Sequence, residues 1–144
     1  MIARDATLVH VGFVVTSIAE QREEFARSTG AEPVSEIIHD PLQRVRVAFL
    51  AHPNGGPRIE LVEPFGERSP VAAFAAQGGG LHHLCYAVDD LPAQLAAARG
   101  CGASGLRPPR PAAAFAGRRI TWVLTRQRLL VEFLERAAAP SAEF

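Results

Sequence analysis

Two stretches of this chain repeat one another, and each repeat carries a histidine and, further on, a glutamate. The sequence LHHLCYAVDD around His83 echoes LVHVGFVVTS around His10, with His83 following His10 by 73 positions. Near the same offset, Glu132 in LVEFLE follows Glu60 in RIELVE by 72 positions. We interpret this as an internal duplication that builds one metal site from two histidines and two glutamates.

The hydrophobic pattern predicts the same order of elements in both halves, a strand, a helix and three further strands. Alternating or apolar runs bounded by turn residues predict the strands 8–15, 31–39, 44–50, 58–63, 81–88, 103–106, 119–125 and 129–135. Helices are predicted at 18–29, 71–77 and 91–99, with Ser17 or Thr16 and Asp89 or Asp90 as caps. Residues 107–117 are predicted to form a loop, and the chain beyond Ala137 a frayed tail. The fold class is α+β, built from two tandem βαβββ modules.

The length of 144 residues fits one domain, residues 1–144. We place the modules at about 7–64 and 80–136, joined by a linker at 65–79 that ends in a run of glycines.

Side chains alternate across a strand, so the position of Glu132 is unusual. It shares a face with Leu130 and Leu134, and a buried carboxylate is costly unless it is protonated, paired or bound to a metal. Small residues share the faces of His10 and His83, which leaves room for a ligand. Two imidazoles and two carboxylates suit a divalent ion such as Co, Ni, Mn, Fe or Zn.

Each residue has a simpler interpretation when it is taken alone. An isolated His10 would be a packing residue, and Glu60 could pair with Arg46 on a neighbouring strand. The equivalent placement of four ligand-type residues in two repeats favours the metal site. The nearby side chains that we interpret as structural are His82, on the face opposite His83, together with Cys85, Tyr86 and Trp122.

Composition excludes several classes of function. Fifteen basic and fifteen acidic residues cancel, which argues against nucleic-acid binding, and no apolar run is long enough to span a membrane. Two cysteines and the lack of a secretion signal favour a reduced, cytoplasmic setting. The strand edges and the glycine-rich linker favour a homodimer.

The order of motifs resembles the vicinal oxygen chelate superfamily, also called the glyoxalase fold, and within it the methylmalonyl-CoA epimerases. The matching segments run from Val-His-Val-Gly at His10, through 45–50 and 58–64, to Gly-Leu-His-His at His83, Arg119-Ile120 and Leu-Val-Glu at Glu132. The resemblance implies a cupped, barrel-like mixed sheet and the metal ligands His10, Glu60, His83 and Glu132.

The resemblance also implies a reaction. An epimerase of this kind acts on methylmalonyl-CoA or a related acyl thioester by removing the α-proton, giving a metal-stabilised enediolate that is reprotonated on the other face. Some epimerases carry a further glutamate as a base on the third strand, but residues 44–50 contain no carboxylate. The catalytic residues implied are therefore Glu132 first and Glu60 second, two ligands that double as bases as in glyoxalase I.

Other members of the superfamily supply the alternatives. A glyoxalase I-type lyase would turn over hemithioacetals, and a non-catalytic drug-binding or resistance protein would bind its ligand without these four metal ligands. An extradiol dioxygenase is disfavoured, because those enzymes use two histidines and one glutamate on iron. The partner is a small-molecule substrate, an acyl-CoA or other thioester.

Overall fold

The computed structural model describes residues 2–137, and the first repeat within them contains five strands. Its elements are β1 (Thr7–Val14), α1 (Ile18–Thr29), β2 (Glu32–Pro33), β3 (Ile38–Asp40), β4 (Val45–Ala51) and β5 (Arg58–Pro64). Ser17 caps α1 by accepting a hydrogen bond from the Glu20 N–H, and Gly30 ends the helix with a φ of 74°, which favours glycine.

The linker contains α2 (Ala72–Ala76), and the second repeat follows the plan of the first. Its elements are β6 (Gly80–Val88), α3 (Leu91–Gly100), β7 (Ser104–Pro111), β8 (Arg119–Leu124) and β9 (Leu130–Glu135). Asp90, rather than Asp89, caps α3, because its side chain accepts from the Ala93 N–H. The predicted α+β fold class is confirmed: the second repeat has the order βαβββ, and the first has this order with its second strand divided into β2 and β3.

All nine of these strands belong to one mixed sheet. The order is β2-β4-β5-β1-β6-β9-β8-β7, with β3 also pairing with β4 at the edge. The two repeats meet where β1 and β6 pair antiparallel, and each of these strands has a parallel partner on its other side, β5 and β9 respectively. The sheet is cupped but open, since β2 and β3 at one end and β7 at the other do not pair with each other.

Two predictions about the strands are corrected. The segment 31–39 forms two short edge strands rather than one, because residues 34–37 leave the sheet between β2 and β3. The strand predicted at 103–106 extends to Pro111, and a 3-10 turn at Ala113–Phe115 follows. Proline lacks an N–H but remains tolerable in β7, because this strand lies at the edge and its pairing with β8 is interrupted twice. The predicted tail lies outside the described residues.

The helices pack against the sheet through apolar clusters. Ile18 of α1 packs with Leu50 and Leu61, and Leu91 and Leu95 of α3 pack with residues that include Phe133. Within residues 2–137, no helix has the length and apolar character that crossing a membrane requires. Burial of these side chains stabilises the sheet and leaves its other face for the functional site.

Candidate metal centre

The four residues predicted as ligands come together at the centre of the sheet. We call His10, Glu60, His83 and Glu132 the quartet. The Nε2 atom of His10 lies 3.1 Å from Glu132 Oε1, and the Nε2 atom of His83 lies 3.2 Å from Glu60 Oε1. The two Nε2 atoms are 3.2 Å apart, and one donor atom from each of the four residues lies within 4.8 Å of every other. All four residues are at most 5% exposed.

The strand register explains why four residues so distant in sequence meet. One cross-strand row runs over β4, β5, β1 and β6, and a second row runs over β8, β9, β6 and β1. The first row contains Phe49, Glu60, Gly12 and His83. The second row contains Trp122, Glu132, Cys85 and His10. Each row therefore has the order aromatic residue, glutamate, small residue, histidine, and the duplication relates one row to the other.

The small residue in each row makes space for the histidine beside it. A methyl group added to Gly12 would overlap the imidazole ring of His83, so this position requires glycine. In the second row the small side chain is the thiol of Cys85, which is fully buried and lies opposite His10 in the pairing of β1 with β6. The prediction that Cys85 is a small buried residue agrees with its position.

A β-bulge precedes each histidine in its strand. The pairing of β1 with β6 passes from Leu8 opposite Tyr86 to His10 opposite Cys85, which leaves Val9 unpaired. It also passes from Gly12 opposite His83 to Phe13 opposite Leu81, which leaves His82 unpaired. A bulge breaks the simple alternation of side chains, so the position of His82 could not follow from counting along the strand.

His82 is consequently part of the site, and its assignment to the opposite face of the strand is wrong. Its Nδ1 atom lies 2.9 Å from Nδ1 of His83, and both residues line the same cavity. When the Nε2 atom of His83 acts as a donor to a metal, its Nδ1 carries the hydrogen and donates it to His82. His82 thus orients the imidazole ring of His83.

The charges of the quartet are strongly coupled. Burial alone would lower the pKa of His83, but hydrogen bonds and charge from Glu132 and Glu60 outweigh it and raise the pKa to about 9. Burial is likewise outweighed at His10, chiefly by the charge of Glu60, so the pKa of His10 is also raised. The two glutamate pKa values are lowered against burial, mainly by the histidines. Burial and the charge of His83 lower the pKa of His82 to about 4.

The donor set fits a divalent metal ion. Among the described residues, Oε1 of Glu132 is the one buried side-chain nitrogen or oxygen atom without a well-aligned hydrogen bond, although Nε2 of His10 lies 3.1 Å away. A buried, unsatisfied carboxylate oxygen costs free energy that coordination would recover. Two imidazole nitrogens and two carboxylate oxygens suit the later first-row divalent ions.

The quartet opens into a cavity of about 360 Å³. Glu60, His83 and Glu132 lie on its wall, and apolar side chains form much of the remainder, among them Val45, Val47, Val62, Phe115, Ile120 and Trp122. Valine occupies the β4 positions that line the cavity, in agreement with the lack of a carboxylate on this strand. The cavity can hold a small acyl group beside the quartet.

Three neighbours of the quartet refine the sequence interpretation. Trp122 lines the cavity, and its ring lies edge-on to His83 with 4.7 Å between centroids, so it is not simply a core residue. Phe115 stacks on His10, although its segment was predicted to be a loop. Arg46 pairs with Glu63, with 3.0 Å between Nη1 and Oε2, which leaves Glu60 to the quartet.

Comparison with known proteins defines the class. Residues 9–122 match the Glyoxalase/Bleomycin resistance protein/Dioxygenase superfamily, and the chain belongs to it. This agrees with the resemblance noted in the sequence and with the cupped sheet of paired βαβββ modules.

The relatives narrow that class to the epimerases. The chain is 35% identical over 106 residues to an ethylmalonyl-CoA/methylmalonyl-CoA epimerase of Cereibacter sphaeroides, covering 72% of this chain and 77% of that protein. A mitochondrial methylmalonyl-CoA epimerase of Dictyostelium discoideum is 34% identical over 89 residues, which span 58% of this chain and half of that protein. A solved methylmalonyl-CoA epimerase in complex with methylmalonyl-CoA and NH4+ superposes with a TM-score of 0.76 at 28% identity, covering 92% of this chain and 96% of that one. The chain is an enzyme of this epimerase-like kind.

Replacing Gly12 tests the row that holds His83. We expect Gly12→Ala to displace the imidazole ring and to lower the free energy of unfolding by about 1–3 kcal/mol, as overpacking does. Gly100→Ala is the matched control, because its added methyl group meets nothing within 4 Å and its backbone needs no positive φ. Denaturant unfolding of the two variants measures the difference, and equal stabilities would contradict the role of Gly12.

Metal binding to the quartet should release protons. Around pH 7.5 the raised pKa of His83, about 9, keeps a proton on the metal-free histidine pair, and coordination requires that this proton leave. We expect release of one to two protons per ion, because the pKa of each histidine is raised and both Nε2 atoms must be free of hydrogen to coordinate. Calorimetric titration of Co²⁺ in buffers of different ionisation enthalpy counts the protons, and affinity should rise with pH towards 9. A binding heat independent of the buffer would contradict this account.

Proposed function

We propose that this protein is a metal-dependent epimerase that acts on methylmalonyl-CoA or a closely related acyl thioester. The observation that carries the proposal is the buried His10–Glu60–His83–Glu132 quartet on the wall of a cavity large enough for a small acyl group. The epimerase relatives support the same reaction class.

The metal ligands in this proposal are the four residues of the quartet. A divalent ion held there supplies a Lewis acid that polarises carbonyl and carboxylate oxygens of the substrate. The rigidity of the four side chains supports this role, because each is fixed by strand pairing and by its neighbours in the row. Preorganised charge of this kind stabilises developing negative charge without rearrangement.

In this proposal, Glu132 and Glu60 transfer the protons. Glu132 removes the proton from the α-carbon, and the electron pair of the C–H bond moves into the thioester carbonyl to form an enolate. Glu60, protonated from solvent, delivers that proton to the other face of the α-carbon, and Glu132 returns its own proton to solvent to complete the cycle. The two carboxylates come from equivalent strands of the two repeats, which places them on different sides of the histidine pair. General bases of this kind contribute about 10²–10⁴-fold.

The cavity wall supports the same chemistry. Val45, Val47 and Val62 form an apolar surface opposite the second repeat, against which a methyl substituent packs. Apolar walls exclude water from the reacting carbon, which protects the enolate from uncontrolled protonation and strengthens the electrostatic interactions near the quartet.

Hydrogen exchange at the α-carbon tests the assignment of the glutamates. In heavy water, cobalt-loaded protein should introduce deuterium into methylmalonyl-CoA, and Glu132→Gln should slow this exchange by about 10²-fold or more. Glu60→Gln should reduce inversion of the centre more than exchange, because Glu132 still removes the proton. Mass spectrometry follows exchange and chiral analysis follows inversion.

Glu135→Gln serves as the control, because Glu135 belongs to the same strand as Glu132 but pairs with Arg119 instead of facing the quartet. Its exchange rate should equal that of the unmodified protein. Absence of exchange in protein that binds stoichiometric cobalt would refute epimerase activity, and the search for a substrate would then turn to hemithioacetals.

The adjacent histidines provide a matched test of the metal ligands. We expect His83→Ala to weaken Co²⁺ binding by more than about 10²-fold, because it removes a donor of the quartet, whereas loss of an orienting partner costs about 10–100-fold at most. His82→Ala should therefore retain a measurable site with altered ligand geometry. The visible absorption of Co²⁺ and its dissociation constant distinguish the two. A stronger loss from His82→Ala than from His83→Ala would reverse the assignment.

A further inference from the structure

A second cavity, of about 240 Å³, adjoins the one that contains the quartet, and arginines dominate its wall. The two cavities share Gln43, Pro70, Arg107 and Arg110 as lining residues, so they meet at these side chains. Arg44 and Arg68 complete the cationic wall of the second cavity. We call the four arginines 44, 68, 107 and 110 the arginine pocket.

The charge of the arginine pocket has no local counterpart among residues 2–137. No carboxylate lines the second cavity, and none of its four guanidinium groups belongs to an ion pair there. Elsewhere in the described chain, Arg27, Arg46, Arg119 and Arg136 each pair with an acidic side chain. Like charges gathered without counter-charges repel each other, so the pocket favours an anion.

Asp40, a carboxylate on the wall of the first cavity, is taken up by three hydrogen bonds that hold the turns around the arginine pocket. Its Oδ1 atom accepts from the Gln43 N–H at 3.1 Å, and Oδ2 accepts from the Gln43 side chain at 3.0 Å and from the Ala113 N–H at 3.1 Å. These bonds connect the turn before β4 to the turn after β7. The two segments that carry Arg44 and Arg110 are therefore held in a fixed relation.

Hydrogen bonds also connect the linker to the turn before β4. The Arg44 guanidinium donates to the Arg68 carbonyl oxygen at 3.4 Å, and the Phe65 N–H donates to the Arg44 carbonyl oxygen at 3.0 Å. β7 is anchored in turn by the Thr121 hydroxyl, which donates to the Arg107 carbonyl oxygen at 2.9 Å. Three segments of the chain thus present guanidinium groups to one space, which reduces the entropy lost on binding.

We propose that the arginine pocket binds the phosphate groups of a coenzyme A thioester whose acyl group lies at the quartet. The inference rests on the proposed function for the position of the acyl group, and it makes the phosphate-bearing carrier a determinant of specificity. Guanidinium groups bind phosphate oxygens in bidentate fashion, and four of them suit the several oxygens and charges of a diphosphate. A single substrate carboxylate would need only one of them.

Two double variants test the pocket from different walls. Arg107→Gln with Arg110→Gln removes the charge from β7, and Arg44→Gln with Arg68→Gln removes it from the turn and the linker. Arg27→Gln is the control, because Arg27 is an exposed residue of α1 that lines neither cavity. Coenzyme A is the probe, and its affinity is measured by calorimetry at low and at physiological ionic strength, with unfolding midpoints recorded for each variant.

We expect each double variant to weaken coenzyme A binding by about tenfold to a hundredfold, with a shallower salt dependence, while Arg27→Gln binds as the unmodified protein does. Inorganic pyrophosphate should compete with coenzyme A in the unmodified protein. The N-acetylcysteamine thioester of methylmalonate, which has no phosphate, should be turned over by the Arg44→Gln with Arg68→Gln variant as by the unmodified enzyme, because these two arginines line only the second cavity.

Several outcomes overturn the proposal. Unchanged coenzyme A affinity in a folded double variant would do so, as would failure of pyrophosphate to compete in the unmodified protein. Equal loss with the phosphate-free thioester would assign the arginines to the acyl carboxylate instead. The arginine-pocket proposal and the proposed epimerase function can be tested separately. Coenzyme A binding that depends on the arginines, without α-proton exchange, would support the pocket and refute the epimerase.

Discussion

The antiparallel pairing of β1 with β6 is the interaction on which the rest of this structure depends. Each repeat alone supplies one histidine and one glutamate, and only this pairing brings the two histidine Nε2 atoms to 3.2 Å. The parallel pairs β1–β5 and β6–β9 then place one glutamate on either side. Because register is fixed by the buried faces of these strands, a slip of one residue would turn both histidines away from the site.

The quartet is costly to bury in the absence of a cation. Two carboxylates and two imidazoles lie almost wholly out of water, and their mutual attraction has to offset the loss of hydration. This attraction favours the charged forms, so it raises the pKa values of the histidines and lowers those of the glutamates. Oε1 of Glu132 is nevertheless left without a well-aligned hydrogen bond. The surrounding sheet therefore maintains an arrangement that a bound metal ion would stabilise.

The sequence predicted the element order and the four members of the quartet because both follow from repetition, which is visible along the chain. It failed where geometry departs from regular periods. Alternation misplaced His82, since a bulge interrupts the register beside it. The prolines around Arg107 and Arg110 argue against a strand, so the full length of the edge strand β7 was not predicted. A tryptophan on a strand has the same sequence pattern whether it lines a cavity or the core, so the position of Trp122 was missed. The arginine pocket joins three segments, so only tertiary structure could assemble it.

The missing carboxylate on β4 changes how proton transfer can be arranged. Where some epimerases carry a glutamate on the third strand, this chain presents Val45 and Val47 to the cavity, and neither can exchange a proton. Asp40 lies nearby but accepts three hydrogen bonds that maintain the turns around it. The proposed epimerisation needs a base on one face of the α-carbon and a proton donor on the other, and Glu60 and Glu132 are the pair that we propose for these roles. The two-fold repetition that assembles the site would then also supply its two opposed bases, with the apolar β4 wall left to shape the acyl group.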